Sequence, residues 1–175
     1  FGYSLLLLGQ RLVAPYVPLY VERLSGPLQL ATIVGLVAAG NGLASAIGSP
    51  VAGMLADRTG YRRVFATGAL VAGVCLILAS VASALLPFAI VYALTGIGFA
   101  ACSSMLYTML AAGLPATIRS SVLNLALAPL YLSGVAGSLV SAAILQVNGG
   151  DLAPLWVIGG VAVLLSLLPV SRLRG

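Results

Sequence analysis

The chain of 175 residues is 61% hydrophobic and only 6% charged, and its mean hydropathy is +1.17. About a quarter of the residues of a soluble domain are charged, so this composition excludes a soluble globular protein, and the low charge also excludes a disordered chain. Histidine is absent and the only acids are Glu22, Asp57 and Asp151. We therefore predict a protein that is not an enzyme, with no catalytic residues, no metal and no cofactor.

The formal net charge of +5 comes from eight basic residues, all of them arginine. Most of these arginines lie at the ends of apolar runs, so they indicate membrane topology and we expect no nucleic-acid partner. Cys75 and Cys102 lie inside apolar runs without metal-ligand spacing, which predicts small buried residues in helices.

Charged and turn residues divide the chain into six apolar segments, each of a length that crosses a bilayer as a helix. The predicted spans are residues 1–21, 30–55, 64–83, 87–113, 120–147 and 154–170. Runs this long and continuously apolar favour helices over the alternating strands of a barrel, and a helix satisfies its own backbone hydrogen bonds in lipid. The predicted fold is all-α, a polytopic membrane protein with six transmembrane helices.

The distribution of arginine predicts the orientation. With six spans, one side of the membrane receives the loops after the second and fourth spans and the tail, which hold Arg58, Arg62, Arg63, Arg119, Arg172 and Arg174. The opposite side holds only Arg23. By the positive-inside rule the arginine-rich side is cytoplasmic. We expect an integral protein of the plasma (inner) membrane with both ends of this stretch in the cytoplasm.

Small residues recur at a spacing of four within two spans, which lets neighbouring helix backbones approach closely. The sets are Ala38-Gly42-Ala46, Ser45-Ser49-Gly53 and Ser133-Gly137-Ser141. Prolines also lie inside spans, at Pro15, Pro18, Pro50 and Pro129. Such residues indicate bent helices, which are more typical of transporters than of static anchors.

The most specific motif is G-M-L-A-D-R-T-G-Y-R-R at residues 53–63. Gly53 permits close backbone approach, Asp57 is a candidate cap for the next helix, and Gly60 allows a tight reversal. The segment resembles the signature of the major facilitator superfamily, G-x-L-A-D-R-x-G-R-[KR]-[KR], from which Tyr61 departs. The resemblance implies a cytoplasmic gating loop, formed here by Gly53, Asp57, Arg58, Gly60, Arg62 and Arg63.

Three further stretches resemble this family: residues 13–20, 95–100 and 118–124. The resemblance implies half of a twelve-helix transporter, built as 3+3 inverted repeats, with the other six-helix half as its partner. Neither an arginine before the fourth-span glycines nor a Gly-Pro pair in the fifth span is present, and the tail is short and basic. These features favour the C-terminal half of such a transporter, and the closest resemblance is to multidrug-efflux (drug:proton antiporter) members. The chain starts at Phe1 without an initiator Met, so it looks cut from a longer protein.

In this family the substrate lies near the bilayer midplane between the halves. Polar and aromatic residues within the first, second, fourth and fifth spans are therefore the candidates for the cavity: Gln10, Arg11, Asn41, Tyr92, Phe99, Ser103, Asn124 and Tyr131. Each of them equally suits a hydrogen bond or a packing contact between helices.

Arg11 is the most specific of these candidates. A charge near the centre of a span has a high free-energy cost in the bilayer, so it normally faces a cavity or a partner. No acid of this chain lies at matching depth, so its partner is an anionic substrate or an acid in the other half. The alternative is an arginine that extends to the interface. A proton carrier residue, if one exists, also belongs to the other half.

The predicted function is a secondary transporter that moves small amphipathic compounds outward by alternating access, with protons as the coupling ion that the resemblance implies. One alternative is a transporter of metabolite or organic anions with Arg11 as the counter-charge. Another is a membrane scaffold that does not transport. A water-soluble thiol reagent distinguishes the scaffold, because it reaches cysteines placed at Asn41, Tyr92 and Asn124 only where a cavity exists.

Overall fold

The computed structural model describes residues 2–112 and 128–168, and the regular elements within those ranges are helices. Helix α1 is Gly2–Val13, a 3₁₀ turn follows at Ala14–Tyr16, and helix α2 is Val17–Ser25. The remaining helices are α3 (Leu30–Thr59), α4 (Tyr61–Ser80), α5 (Leu85–Ala112), α6 (Ala128–Val147) and α7 (Ala153–Leu165).

Within the described ranges, the helices long and apolar enough to cross a membrane are four: Ser4–Ser25, Leu30–Thr59, Tyr61–Ser80 and Leu85–Met109. Two shorter apolar helices, Tyr131–Val147 and Ala153–Leu165, occupy the predicted fifth and sixth spans. Residues 1, 113, 120–127, 169 and 170 of the predicted spans lie outside the described residues. The six-span count therefore stays a prediction.

Two prolines divide the first predicted span into α1 and α2. Pro15 lies in the 3₁₀ turn and Pro18 in the first turn of α2. Because proline has no backbone N–H and its ring displaces the preceding turn, an α-helix does not continue through it without a kink or break. Pro50 behaves differently, since α3 continues through it.

The helices pack in an order that differs from their order in the chain. Helix α1 lies between α6 and α7, α7 also packs on α4, α4 packs on α5, and α5 packs on α3. Helix α3 is the most open of the long helices, with 6% of its most apolar stretch buried against 50% for α4. One side of the bundle therefore ends in a long apolar helix with little of its surface covered.

Helix α7 fits between two neighbours because its glycine pair has no side chains. A Cβ added at Gly159 would lie 3.0 Å from the carbonyl oxygen of Gly9 in α1, and one at Gly160 would lie 2.7 Å from that of Gly73 in α4. Both distances are tighter than ordinary contacts, so a side chain at either position would force the helices apart. The predicted small-residue sets did not include this pair.

The predicted small-residue sets have different outcomes. Ala38, Gly42 and Ala46 are exposed, so they form no helix contact in the described chain. In the second set, the hydroxyl of Ser49 bonds that of Ser104 at 2.6 Å. In the third set, a Cβ at Gly137 would lie 2.8 Å from Cβ of Arg11, so that set lies at the seam between α6 and α1.

An aromatic cluster holds the bundle together at the end where α2 and α4 terminate. The ring of Tyr20 lies 4.9 Å from that of Phe88 and 5.1 Å from that of Trp156, centroid to centroid. The Tyr20 hydroxyl donates to the carbonyl oxygen of Ala79 at 2.9 Å, near the end of α4. Arg23 donates to the carbonyl oxygen of Gly150 at 2.7 Å. We name this the Gly150 end and the opposite side the Gly60 end.

Candidate functional site

A small cavity lies where α1 meets α3, α4 and α5. Its volume is about 40 Å³, and it is lined by Gln10, Val13, Ala14, Asn41, Leu76, Tyr92, Thr95 and Phe99. Four of the residues that the sequence predicted for a cavity are thus brought together: Gln10, Asn41, Tyr92 and Phe99. The structure places them on three helices far apart in the sequence.

Asn41 joins α3 to α5 across this cavity. Its Nδ2 donates to the carbonyl oxygen of Tyr92 at 2.7 Å and lies 3.4 Å from the hydroxyl of Thr95. This arrangement depends on Gly96, because a Cβ there would lie 2.6 Å from the carbonyl oxygen of Asn41 and 2.9 Å from its Nδ2. The amide nitrogen of Asn41 therefore serves helix packing, while its Oδ1 accepts no hydrogen bond within the described residues.

Tyr92 and Thr95 form the α5 wall of the cavity. The hydroxyl of Thr95 donates to the carbonyl oxygen of Tyr92 at 2.6 Å, and its side chain is 1% exposed. The ring of Tyr92 stacks on Phe88 at 5.8 Å and meets Trp156 edge-on at 6.1 Å. This packing fixes the direction of the Tyr92 ring, and its hydroxyl has no hydrogen-bond partner among the described residues.

Thr95 was not among the residues predicted from the sequence. It lies three positions after Tyr92, so the two share a face of α5, and this spacing is the signal that would have found it. The apolar lining residues Val13, Ala14 and Leu76 carry no such signal, because nothing in an apolar run marks which residue will border a cavity.

The size of the cavity limits what this chain binds by itself. A volume of about 40 Å³ is room for about one water molecule, whose share of the liquid is about 30 Å³. Pockets for drug-sized ligands have volumes of about 300–1,000 Å³. The cavity is therefore a polar indentation, and a substrate-sized space needs a second surface that faces it.

Arg11 lies next to this indentation on the same helix. Its side chain is exposed, and its Cβ is close to Gly137 of α6. Within the described residues it makes no hydrogen bond or ion pair. The acids Glu22, Asp57 and Asp151 lie at or beyond helix ends. A fixed positive charge is thus held within a membrane helix, one residue from Gln10.

The remaining cavity candidates are not brought to this site. Ser103 is half-buried on α5 but does not line the cavity, and Tyr131 is 70% exposed on α6. Asn124 lies outside the described residues.

The motif at residues 53–63 forms a tight connection between α3 and α4. Gly60 is its single linking residue and has φ 92°, a conformation that favours glycine, which agrees with the predicted reversal. Two other roles expected for the motif are not seen within the described residues. The N-cap residue of α4 is Gly60, which has no side chain to cap the helix, and no described atom lies within 4 Å of a Cβ added at Gly53.

The charged residues of the motif lie at the surface. Asp57, Arg58, Arg62 and Arg63 are exposed. Beside them is a wide, open depression of about 450 Å³, lined by Val51, Met54, Leu55, Asp57 and Arg58. The motif therefore presents its charges and an apolar flank to whatever lies against the Gly60 end.

Within the described residues, no three His, Cys, Asp or Glu side chains lie close enough together to bind a metal ion. Cys75 and Cys102 are buried as free thiols, as the sequence predicted.

Comparison with known proteins identifies a family. The model of the Major Facilitator Superfamily matches residues 1–174, which is nearly the whole chain. No curated protein and no solved structure gives a significant match.

Proposed function

Because this chain belongs to the major facilitator superfamily, whose members are secondary transporters and not enzymes, we propose that it is the C-terminal six-helix half of an exporter of small amphipathic compounds. The observation that carries the proposal is the polar indentation between α1, α3 and α5, which is too small to enclose a substrate. It needs a second surface, and in a two-half transporter the other half supplies it.

The open face of the first span supports a partner at this place. Gln10, Ala14 and Pro18 are exposed and spaced by four, and Arg11 and Pro15 beside them are exposed as well. Gln10 and Arg11 lie near the end of α1, where Arg11 borders Gly137 of α6, and Ala14, Pro15 and Pro18 extend this exposed strip through the 3₁₀ turn into α2. A polar and positively charged face of this kind is costly in contact with lipid, so we assign it to the substrate pathway between the two halves.

Substrate binding then uses groups with different chemistry. The amide of Gln10, the Oδ1 of Asn41 and the hydroxyl of Tyr92 have no hydrogen-bond partner among the described residues, so they are available to the polar end of a ligand. Phe99, which is 7% exposed, contributes an apolar wall. Transport proceeds by alternating access, in which the two halves rock around the bound compound.

The proposed orientation places the Gly60 end in the cytoplasm of the plasma membrane, because the arginines of the motif are at that end. Proton antiport is the coupling that the resemblance implies. Glu22 and Asp57 lie in the last turns of α2 and α3, Asp151 precedes α7, and none of the three acids lies near the middle of a span. We therefore place the residue that exchanges the proton in the other half.

Export is tested with the full-length protein that contains this chain, produced in cells whose efflux of a fluorescent amphipathic dye is otherwise disabled. We expect Gln10→Leu to raise dye accumulation towards that of cells without the protein, because it removes a hydrogen-bonding group from the indentation. Gln146→Leu is the matched control, since Gln146 is an exposed glutamine of α6 outside the cavity. Equal export by the wild type and both variants would contradict the assignment of the site.

A second candidate function is the transport of organic anions, and the observation that favours it is the exposed Arg11, which has no ion pair among the described residues. We expect Arg11→Ala to abolish transport of a carboxylate compound in proteoliposomes while a neutral amphipathic compound is still moved. Arg23→Gln is the control, because Arg23 lies at the Gly150 end. Carboxylate transport that survives Arg11→Ala would refute the role of Arg11 as counter-charge.

A further inference from the structure

A second concave surface lies nearer the Gly60 turn and is lined by residues other than those of the cavity that contains Gln10. Helix α3 ends at the Gly60 turn and helix α4 begins there. Both helices pack on α5, and they make few contacts with each other. The groove between them has a volume of about 140 Å³ and is lined by Gly48, Val51, Ala52, Leu55, Val64, Thr67, Gly68, Val71, Ile97, Gly98 and Ala101. Helix α5 is therefore the floor of the groove, and α3 and α4 are its walls.

Glycines let α3 and α4 pack closely on α5 at the floor of the groove. A Cβ added at Gly98 would lie 2.6 Å from the carbonyl oxygen of Gly68, and one at Gly48 would lie 3.0 Å from Cα of Ile97. Both walls thus touch α5 through glycine contacts. The groove is the space left where the two walls diverge above these contacts.

The lining of the groove is apolar. Thr67 supplies its only side-chain hydroxyl, which donates to the carbonyl oxygens of Arg63 at 3.0 Å and Val64 at 3.1 Å. The groove thus offers its occupant no uncommitted side-chain donor. Apolar cavities of about 150 Å³ stay dry and bind molecules the size of benzene, so this surface suits a hydrocarbon and not water.

The groove opens outward, into the part of the membrane next to the Gly60 end. Val51, Leu55, Val71 and Ile97 are exposed along it. It lies within helices that are long and apolar enough to cross the membrane. Leu55 is three residues before Arg58, which places this arginine about 4.5 Å further along the axis of α3.

A basic rim closes the groove at the Gly60 end. Arg58 shares an open depression with Val51 and Leu55, which also line the groove, so the two concave surfaces are continuous. On the other wall Arg63 is exposed and directly precedes Val64. Asp57 lines the same depression as Arg58, so the charged groups named at this end are two arginines and one carboxylate, with a net positive charge. An apolar channel next to such a rim is complementary to a molecule with a hydrocarbon chain and an anionic head.

We propose that this groove binds part of one acyl chain of an anionic phospholipid, whose phosphate interacts with Arg58 and Arg63. Basic residues next to a membrane helix attract the anionic lipids of the cytoplasmic leaflet, and the arginine-rich Gly60 end is the one assigned to the cytoplasm. The lipid lies between the arms of the α3–α4 hairpin and holds them in their present spacing. The inference rests on the proposed orientation but not on the transported substrate.

The proposal is tested with the purified full-length protein in detergent, to which dioleoyl phosphatidylglycerol or dioleoyl phosphatidylcholine is added. Native mass spectrometry counts the bound lipids. We expect the wild type to bind phosphatidylglycerol more tightly, and Arg58→Gln and Arg63→Gln to weaken it about fivefold each, as expected for removal of one basic residue near an anionic head group. Binding of phosphatidylcholine should be unchanged in both variants.

Filling the groove tests the position of the acyl chain. Thr67→Trp places a large ring in the groove and should reduce phosphatidylglycerol binding about tenfold, whereas Leu70→Trp should not, because Leu70 is exposed on α4 outside the groove. Circular dichroism of both variants shows whether they remain folded. Equal lipid binding by the two folded tryptophan variants would overturn the proposal, and so would equal affinity of the wild type for the two lipids.

Two other occupants give different results. If the other half of the transporter covers the groove, a cysteine at position 67 will resist a lipid-soluble maleimide that labels one at position 70. If a second copy of the chain fills it, Thr67→Trp will convert dimers into monomers in the same mass spectra. Either result would overturn the lipid assignment.

Discussion

The seam between α4 and α7 depends on two glycines, and a single methyl group should open it. In Gly160→Ala the new Cβ would lie 2.7 Å from the carbonyl oxygen of Gly73 and 2.6 Å from Cγ1 of Ile77. Ordinary van der Waals contact begins at 3.4 Å. The Ile77 side chain is able to rotate away, but the oxygen of Gly73 belongs to a helix backbone, so the two helices must separate by several tenths of an ångström.

The expected magnitude follows from two opposing effects. Overpacking a core costs about 1–3 kcal/mol, and alanine in place of glycine within a helix gains up to about 1 kcal/mol. We expect Gly160→Ala to lower the free energy of unfolding by about 1 kcal/mol, the difference between these contributions. Gly73→Ala should lower the free energy of unfolding less in the Gly160→Ala variant than in the wild type. The reason is that one separation of α4 and α7 makes room for both methyl groups.

The assay is unfolding of the purified protein by sodium dodecyl sulfate in mixed micelles, followed by circular dichroism. Gly42→Ala is the matched control, since a Cβ at Gly42 meets no atom within 4 Å. It should leave the free energy of unfolding unchanged or raise it. The reasoning is refuted if Gly160→Ala is as stable as Gly42→Ala, or if the double variant loses the full sum of the two single losses.

Three further substitutions use the same unfolding assay. Gly60→Ala should cost about 1–3 kcal/mol, because φ 92° is strained for any residue with a side chain; an unchanged midpoint would show that the turn relaxes. Tyr20→Phe keeps the ring and removes the bond to the Ala79 oxygen, so it should cost about 1 kcal/mol, and a loss near zero would mean that the hydroxyl is not held there. Arg23→Gln should cost less than about 1 kcal/mol, because its ion pair with Asp151 is exposed. High salt should abolish the part of this loss that comes from the ion pair, so a loss that does not change with salt would contradict the prediction.

Composition and local motifs were enough to predict the class of fold. Long apolar runs predict membrane helices wherever the chain lies in lipid, since no other local structure satisfies the backbone there. The signature at residues 53–63 led to the family that the match over residues 1–174 shows. The tight reversal at Gly60 was also predictable, because few residue types other than glycine adopt the positive φ that a short turn between two helices requires.

The contacts between helices were not predictable in the same way. A spacing of four marks Ala38, Gly42 and Ala46 as a possible packing face, but it does not say whether a partner covers that face, and none does in the described chain. The adjacent glycines 159 and 160 serve two different neighbours, so they show no such spacing. Which helix packs against a given face depends on the arrangement of the whole bundle, so the sequence of one helix does not predict it.

The candidate site shows the same limit. A polar residue within a span, such as Asn41, is expected either to line a cavity or to bond another helix, and the sequence leaves these alternatives open. The structure shows both at once, because Nδ2 of Asn41 bonds α5 while the side chain borders the cavity. Its partner is a backbone oxygen, which every residue has and no sequence pattern can mark.

The central claim is that the exposed face of the first span lines a water-accessible substrate pathway, and cysteine labelling tests it most directly. The full-length protein with Gln10→Cys is treated in membrane vesicles with a membrane-impermeant maleimide, and the wild type and Leu43→Cys, an exposed position on α3 outside the cavity, serve as controls. Our account predicts labelling at position 10, slowed by a transported compound, and little labelling of either control. Labelling at position 10 that is no faster than at position 43, from either side of the membrane, would contradict it.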